Sequence, residues 1–411
     1  MADSVMRTGR KCVLAILVCL FAAILAAGEA KADEAPEIMP EGYSSEVSGF
    51  MLPYLFDRSY CTIWYAKRGW IQIELPENQP AHMLYICFYR QAVPVTIQVP
   101  DGSGGYRDEV MVDDPYLHQF VPLPGVTSVR IRITDESKKE MLRLNELYFF
   151  GEGEKPDWVQ TWRAAEKADI LLLSAHADDE LLWFGGTLPY YAGERGLSVQ
   201  VVYLAHGDTW RENELLDGLW MCGVKEYPVI GEFQALRTTN AGEVFAAWGG
   251  GRKTVFPWMT AIIRRYRPEI VLTHDLQGEY GHGVHQAAAM IAINCFDLAA
   301  DESFDPESAG KYGVWQVKKL YIHMYRENEI QMDWDQPLQA FGGLTGMEVA
   351  DAALQCHKSQ QPIGFTARWR MPYDCRAFGL YSTTVGPDEE KNDFMEHTES
   401  SDKGGRNADQ R

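Results

Sequence analysis

Positive charge is scarce in this chain. Lys and Arg number 38 against 58 Asp and Glu, a formal net charge of −20, so the cationic surface that a phosphate backbone demands is missing and nucleic acid is excluded as the main partner. The same balance offers nothing to anionic lipid and leaves neutral glycans open. Long apolar runs are equally few. The run from Cys12 to Ala27, about 16 residues, falls short of the roughly 20 that span a bilayer. No other stretch is longer or more apolar, so no stable membrane span is expected in the mature chain. Arg7, Arg10 and Lys11 precede the run and Ala30-Lys31-Ala32 follows it, which predicts a signal peptide over residues 1–32, cut after Ala32. A secreted or cell-surface location follows. Cysteine is sparse as well. Without Cys12 and Cys19 those at 61, 87, 222, 295, 356 and 375 remain, and Cys61 with Cys87 and Cys356 with Cys375 are candidate pairs, buried free thiols being the alternative.

What is present is apolar content for a core, 46% of residues, in a chain of 411 that has room for two or three domains. From about residue 60 to 150 short β-branched and aromatic segments recur: Thr62 to Tyr65, Trp70 to Leu75, Met83 to Tyr89, Val95 to Val99, Ser128 to Ile133 and Leu142 to Phe150. Pro100-Asp101-Gly102-Ser103-Gly104-Gly105 and Pro124-Gly125 punctuate them. Val129, Ile131 and Ile133 alternate with Arg130, Arg132 and Thr134, the two-residue period of a half-buried strand. An all-β sandwich over 33–155 is predicted. Its last two strands weakly resemble those of galactose-binding-like jelly rolls.

Beyond Pro156 the pattern changes. Ile170 to Leu173, Leu197 to Leu204, Pro228 to Ile230, Glu269 to Thr273 and Lys319 to Met324 read as buried strands. Glu180 to Arg195, Asn213 to Cys222, Pro257 to Tyr266 and Val284 to Ala299 read as the helices between them. Strands spaced by helices predict an α/β domain over 156–385, a doubly wound, Rossmann-like parallel sheet flanked by helices, with ligands at the carboxyl ends of the strands. From 386 to 411 the chain is polar and acidic, with Phe394 and Met395 its only sizeable apolar residues, and a disordered tail is expected.

Two groups of metal-ligand residues follow predicted strands. Ser174-Ala175-His176-Ala177-Asp178-Asp179-Glu180 closes the first α/β strand; imidazole and carboxylate three apart on a tight turn converge on one ion and leave the neighbouring carboxylate free as a base. His274-Asp275 and then Glu279-Tyr280-Gly281-His282-Gly283-Val284-His285 follow the strand ending at Thr273, with His282 and His285 on one helix face. Alone, either group is weak evidence, an isolated His-x-x-Asp being more often surface polarity or helix capping. Their shared position after buried strands favours a metal.

With these residues the chain resembles the PIG-L/LmbE family of zinc-dependent N-acetylglucosamine de-N-acetylases, over about residues 165–362. Ala175-His176-Ala177-Asp178-Asp179-Glu180 matches the family's first motif and Gly281-His282-Gly283-Val284-His285 its second. Weaker matches are Gly185-Gly186, Arg211-x-x-Glu214 with Cys222-Gly223-Val224, and His357-Lys358-Ser359-Gln360. The resemblance implies Zn²⁺ held by His176, Asp179 and His285, with a position open for water and Asp178 as the base that takes that water's proton. It further implies that His282 stabilises the oxyanion or protonates the leaving amine, with Tyr280 adding a hydrogen bond; Asp178 returning its proton is the other source for the amine. Arg211 is the expected substrate-positioning charge. Ala177 departs from the family's proline, and Gly283-Val284 from its Pro-Asp, so an acidic group that orients the adjacent histidine in some members is missing. Asp275 is the candidate replacement, or else a strand-end cap.

Trp183 reads as core and Trp210 as a pocket residue. His206 and Asp208 share the latter's loop, with outer-shell and solvent-exposed roles both open, and His323 reads as a satisfied buried histidine. The function expected is an exported zinc hydrolase that removes acetyl from an N-acetylated sugar or glycan, with a β domain that either binds glycan or only covers its neighbour. A zinc amidase or esterase on another acyl group, or a carbohydrate-binding protein without turnover, are the rivals.

Overall fold

The computed structural model describes residues 33–47, 51–134, 141–206, 210–362 and 373–398. The predicted signal peptide lies outside them. Two compact units divide at Val159/Gln160, the short pieces Tyr89–Gln91 and Tyr116–His118 going with the second.

The first unit holds β1 (Glu37–Ile38), β2 (Gly42–Ser45), β3 (Trp64–Ala66), β4 (Trp70–Glu74), β5 (Ala81–Phe88), β6 (Val95–Pro100), β7 (Tyr106–Val112), β8 (His118–Val126), β9 (Ser128–Ile133) and β10 (Leu142–Phe150). One five-stranded sheet runs β2-β4-β9-β6-β7, antiparallel throughout. The other runs β1-β10-β5-β8 with β3 also on β10. Ile71, Ile73, Ile97, Val129 and Ile131 are all fully buried while Gln72, Arg130 and Arg132 beside them are more exposed, the mark of a sheet with one face against a second layer. The predicted Gly-rich turn joins β6 to β7: Asp101 Oδ1 accepts from the amides of Ser103 (2.7 Å) and Gly105 (3.0 Å). β7 escapes the sequence reading because it is an edge strand that buries only Val112 and so carries no apolar alternation.

The second unit is built on β11 (Ile170–Ser174), β12 (Val199–His206), β13 (Val229–Gln234), β14 (Ile270–Thr273), β15 (Lys319–His323), β16 (Glu329–Gln331) and β17 (Ala377–Thr383), ordered β13-β12-β11-β14-β15-β17-β16. The first five are parallel. β17 and β16 close the sheet antiparallel, so it is mixed where a parallel sheet was expected. Its helices are α1 (Asp179–Leu182), α2 (Arg211–Met221), α3 (Ala241–Ala247), α4 (Arg252–Tyr266), α5 (Gly283–Leu298), α6 (Pro306–Tyr312) and α7 (Gly346–Leu354). Leu171, Leu173, Val202, Leu204, Val271 and Ile322 of the strands pack with Met259, Ile263, Ala288 and Ile291 of α4 and α5 in one core. Each such aliphatic side chain contributes about 1.5–3 kcal/mol by leaving water.

Three local expectations are corrected. The helix expected over Glu180 to Arg195 breaks after Leu182 and resumes as the turn Pro189–Glu194. Gly185 takes φ +52, and a Cβ there would lie 2.9 Å from Cys375 Sγ and 3.1 Å from Trp334, so the chain leaves the helix to pass beneath that indole. α4 begins at Arg252, ahead of Pro257, which forfeits one hydrogen bond inside the helix while Val255 and Met259 are buried around it. The tail expected to be disordered from 386 packs down over 387–398. Asp388 meets the buried Lys319 ammonium and Tyr321 hydroxyl, Arg195 grips Asp393 (2.8 Å), and Phe394 and Met395 are fully buried. Composition missed this because two apolar anchors and two matched charges suffice when their partners lie far away in sequence. All six described cysteines are free thiols, so neither candidate pair is bonded.

Candidate metal centre

The strand order reverses between β11 and β14: the chain winds outward through β12 and β13 on one side and through β15 on the other. Loops leaving two such neighbours diverge and open a crevice at their carboxyl ends. Both sequence motifs begin there.

After β11, the Ser174 hydroxyl donates to the His176 carbonyl (2.9 Å), and the His176 amide donates to Asp179 Oδ2 (2.9 Å). Asp178 at the corner is left-handed, φ +96. Its amide donates to Glu180 Oε2 (3.0 Å), and its carboxylate accepts from Arg211 Nη2 (3.1 Å), which also reaches the Ala177 carbonyl. After β14, Gly278 takes φ +67 where a Cβ would strike the His282 carbonyl, and the tight loop delivers His282 as the N-cap of α5 and His285 to its first turn.

The two loops meet. Asp179 Oδ2 lies 3.0 Å from His176 Nδ1 and 3.2 Å from His285 Nε2, while Oδ1 accepts from Trp183 Nε1 (2.7 Å). The His176, His282 and His285 rings stand 4.7 to 5.3 Å apart, centroid to centroid. His285 Nε2 is buried and forms no aligned hydrogen bond. Burial disfavours charge on His285, but Asp179 and Glu279 outweigh it and lift its pKa to about 10. Burial likewise opposes ionisation of Asp179, and the His285 and His176 rings override it and hold that carboxyl well below the usual range. A divalent cation suits such a pocket: nitrogen and oxygen donors, an orphaned ring nitrogen, and two carboxylates inviting positive charge. Two donor groupings occur among the described residues, His176 with His282 and His285, and Asp179 with His274 and His285. His274 Nε2 already accepts the Ala175 amide (2.9 Å), and Asp179 Oδ2 lies against both His176 Nδ1 and His285 Nε2, so His176, Asp179 and His285, drawn from both groupings, are the better donor set.

The remaining groups sort themselves by contact. Burial, then the charge of Asp179, raises the Asp178 carboxyl, with Arg211 opposing. Burial, then the neighbouring His285 and His176, pushes His282 down to about 3; its Nδ1 accepts the Val284 amide (3.3 Å), which leaves the hydrogen on Nε2. Tyr280, at φ +50 and half exposed, stands 5.6 Å from both the His282 and His285 rings. Arg211 engages Asp178, and Trp210 stands at the N-cap position of α2, partly buried. Asp275 turns to the Gln277 amide (3.2 Å), so it is not the outer partner of the histidines. Glu279 is: its Oε2 accepts from His285 Nδ1 (2.6 Å) and His274 Nδ1 (2.9 Å), and its Oε1 from His323 Nδ1 (2.6 Å). Spacing alone hides this role, since the three imidazoles come from separate segments. Trp183, read as core, is buried and also orients Asp179. Asp208 and the side chain of His206 lie outside the described residues.

The fold and the cluster define the second unit as an α/β protein with a candidate mononuclear metal centre at its switch point. Residues 171–296 match the family described as PIG-L: GlcNAc-PI de-N-acetylase. The 1D-myo-inositol 2-acetamido-2-deoxy-alpha-D-glucopyranoside deacetylase 1 of Catenulispora acidiphila is 30% identical over 179 residues, covering 37% of this chain and 54% of that protein. The corresponding deacetylase of Rhodococcus opacus is 31% identical over 185 residues, covering 37% and 60%. The chain thus spans a little over half the length of these relatives. Among solved structures, the N,N'-diacetylchitobiose deacetylase from Pyrococcus horikoshii aligns at 18% identity over 48% of this chain and 72% of that one, with a TM-score of 0.35.

Proposed function

We propose that this protein is an exported zinc-dependent hydrolase that removes the acetyl group from an N-acetylglucosamine-type sugar or glycan. The observation that carries the reading is the convergence of His176, Asp179 and His285 beside Asp178, a carboxylate outside that donor set. The parallel run β13-β12-β11-β14-β15 supports a Rossmann-like reading of the unit, and the two five-stranded sheets a jelly-roll-like sandwich before it. Relatives that act on a 2-acetamido-2-deoxy-glucopyranoside support the sugar.

Zinc bound by His176, Asp179 and His285 would polarise the acetamide carbonyl and lower the pKa of water toward about 7. Asp178, anchored by Arg211 and through its amide by Glu180, accepts the attacking water's proton. Its raised pKa suits a group that must also give the proton back. Burial and the neighbouring rings hold the His282 pKa down and its Nδ1 accepts the Val284 amide, so the neutral ring offers Nε2–H to the developing oxyanion and would have to become an imidazolate to protonate the amine as well. Asp178 therefore returns the proton to the leaving nitrogen. Arg211 contributes by holding the base, and the half-exposed Tyr280 hydroxyl is available to the substrate.

Acetate release tests this. The zinc-loaded chain is expected to liberate acetate from at least one of a panel of acetylated monosaccharides, chito-oligomers and peptidoglycan fragments, and to stop when the metal is chelated. Bound zinc with no acetate from any of them rejects deacetylation and favours an amidase or esterase on another acyl group, or a binding protein.

A further inference from the structure

Glu279 takes no part in the reaction proposed above, yet it is fully buried and its carboxylate serves three imidazoles. A carboxylate is costly to bury, and these three charge-assisted hydrogen bonds, with a fourth from the Asp275 amide (3.2 Å), make this one tolerable. The partners arrive from three places: His274 just past β14, His285 in the first turn of α5, and His323 at the end of β15. A carboxylate only accepts, so the Nδ1 of each ring carries the hydrogen and Nε2 is turned the other way. For His285 that direction is Asp179, 3.2 Å off. For His274 it is the Ala175 amide, the residue before His176.

We infer that Glu279 is the positioning residue that holds the two halves of the metal group in register. It orients the His285 ring directly, and through His274 it anchors the turn that carries His176 and Asp179. An imidazole on its own pivots about its Cβ–Cγ bond; a hydrogen bond at Nδ1 removes that freedom and strengthens Nε2 as a ligand. The inference rests on the metal reading of the site. It is separable from that reading because it concerns affinity for the ion and not turnover.

The test is zinc affinity of the full mature chain, measured by competition with a chromophoric chelator alongside the melting temperature. Glu279→Gln is expected to bind zinc about 10 to 100-fold more weakly. His323→Phe removes the one arm that leads to neither motif; it is expected to melt earlier yet bind zinc within about threefold of wild type. Should Glu279→Gln fail to fold, Glu279→Asp, which keeps the charge but draws its oxygens back from the rings, is judged by the same limits. Affinity of the Glu279 variant within about threefold of wild type overturns the inference, and so does equal weakening in His323→Phe, because general loosening of the core then explains both. A wild-type chain that takes up no zinc overturns the metal reading and the inference with it.

Discussion

Asp178 sits where the backbone is least comfortable. A left-handed aspartate costs about 1–3 kcal/mol, and it persists because Glu180 holds its amide and Arg211 its carboxylate. The strain aims the side chain beside the donor set and not into it, which is what separates a base from a ligand. Removing charge without changing shape exposes the difference. Asp178→Asn is expected to keep its zinc and lose about 10² to 10⁴-fold in kcat, whereas His176→Ala loses metal and activity together. Equal zinc content in wild type and His176→Ala, measured by elemental analysis, would reject the ligand assignment.

Elements here are shaped by partners distant in the chain. α1 spans only Asp179–Leu182 because Gly185 turns the backbone away under Trp334, and this short first helix keeps Trp183 buried with its indole on Asp179. The segment 387–398 is pinned by a buried ion pair between Asp388 and Lys319, residues of β15 and of a stretch that composition alone assigns to solvent. Breaking one side of such a pair strands the other charge in the interior. Asp388→Ala is therefore expected to cost about 3–5 kcal/mol in urea unfolding, and Asp388→Asn less, since the amide still accepts from the ammonium. A loss under about 1 kcal/mol for Asp388→Ala would mean that Lys319 finds water there.

The whole chain couples a β unit to an α/β unit, and its proposed setting is extracytoplasmic. Among the described residues no helix is long and apolar enough to cross a membrane. If residues 1–32 are a signal peptide, N-terminal sequencing of the exported protein starts at Asp33; material that keeps Met1 rejects export by this route. The amino-acid order by itself determined where many of the strands run and where the chemistry sits, because alternation, buried apolar runs and Gly-rich turns are local signals: Ser128–Ile133 and Ile170–Leu173 are read directly, and the His-x-x-Asp and His-x-x-His spacings mark both loops. The antiparallel closure of the sheet by β17 and β16, the docking of Asp388 and Phe394, and the turning of Asp275 away from the histidines were decided only by the tertiary structure. So was the gathering of His274, His285 and His323 on Glu279. Those depend on side chains far apart in sequence meeting in a dry interior, where a buried charge selects its partner by proximity and no periodicity records the choice.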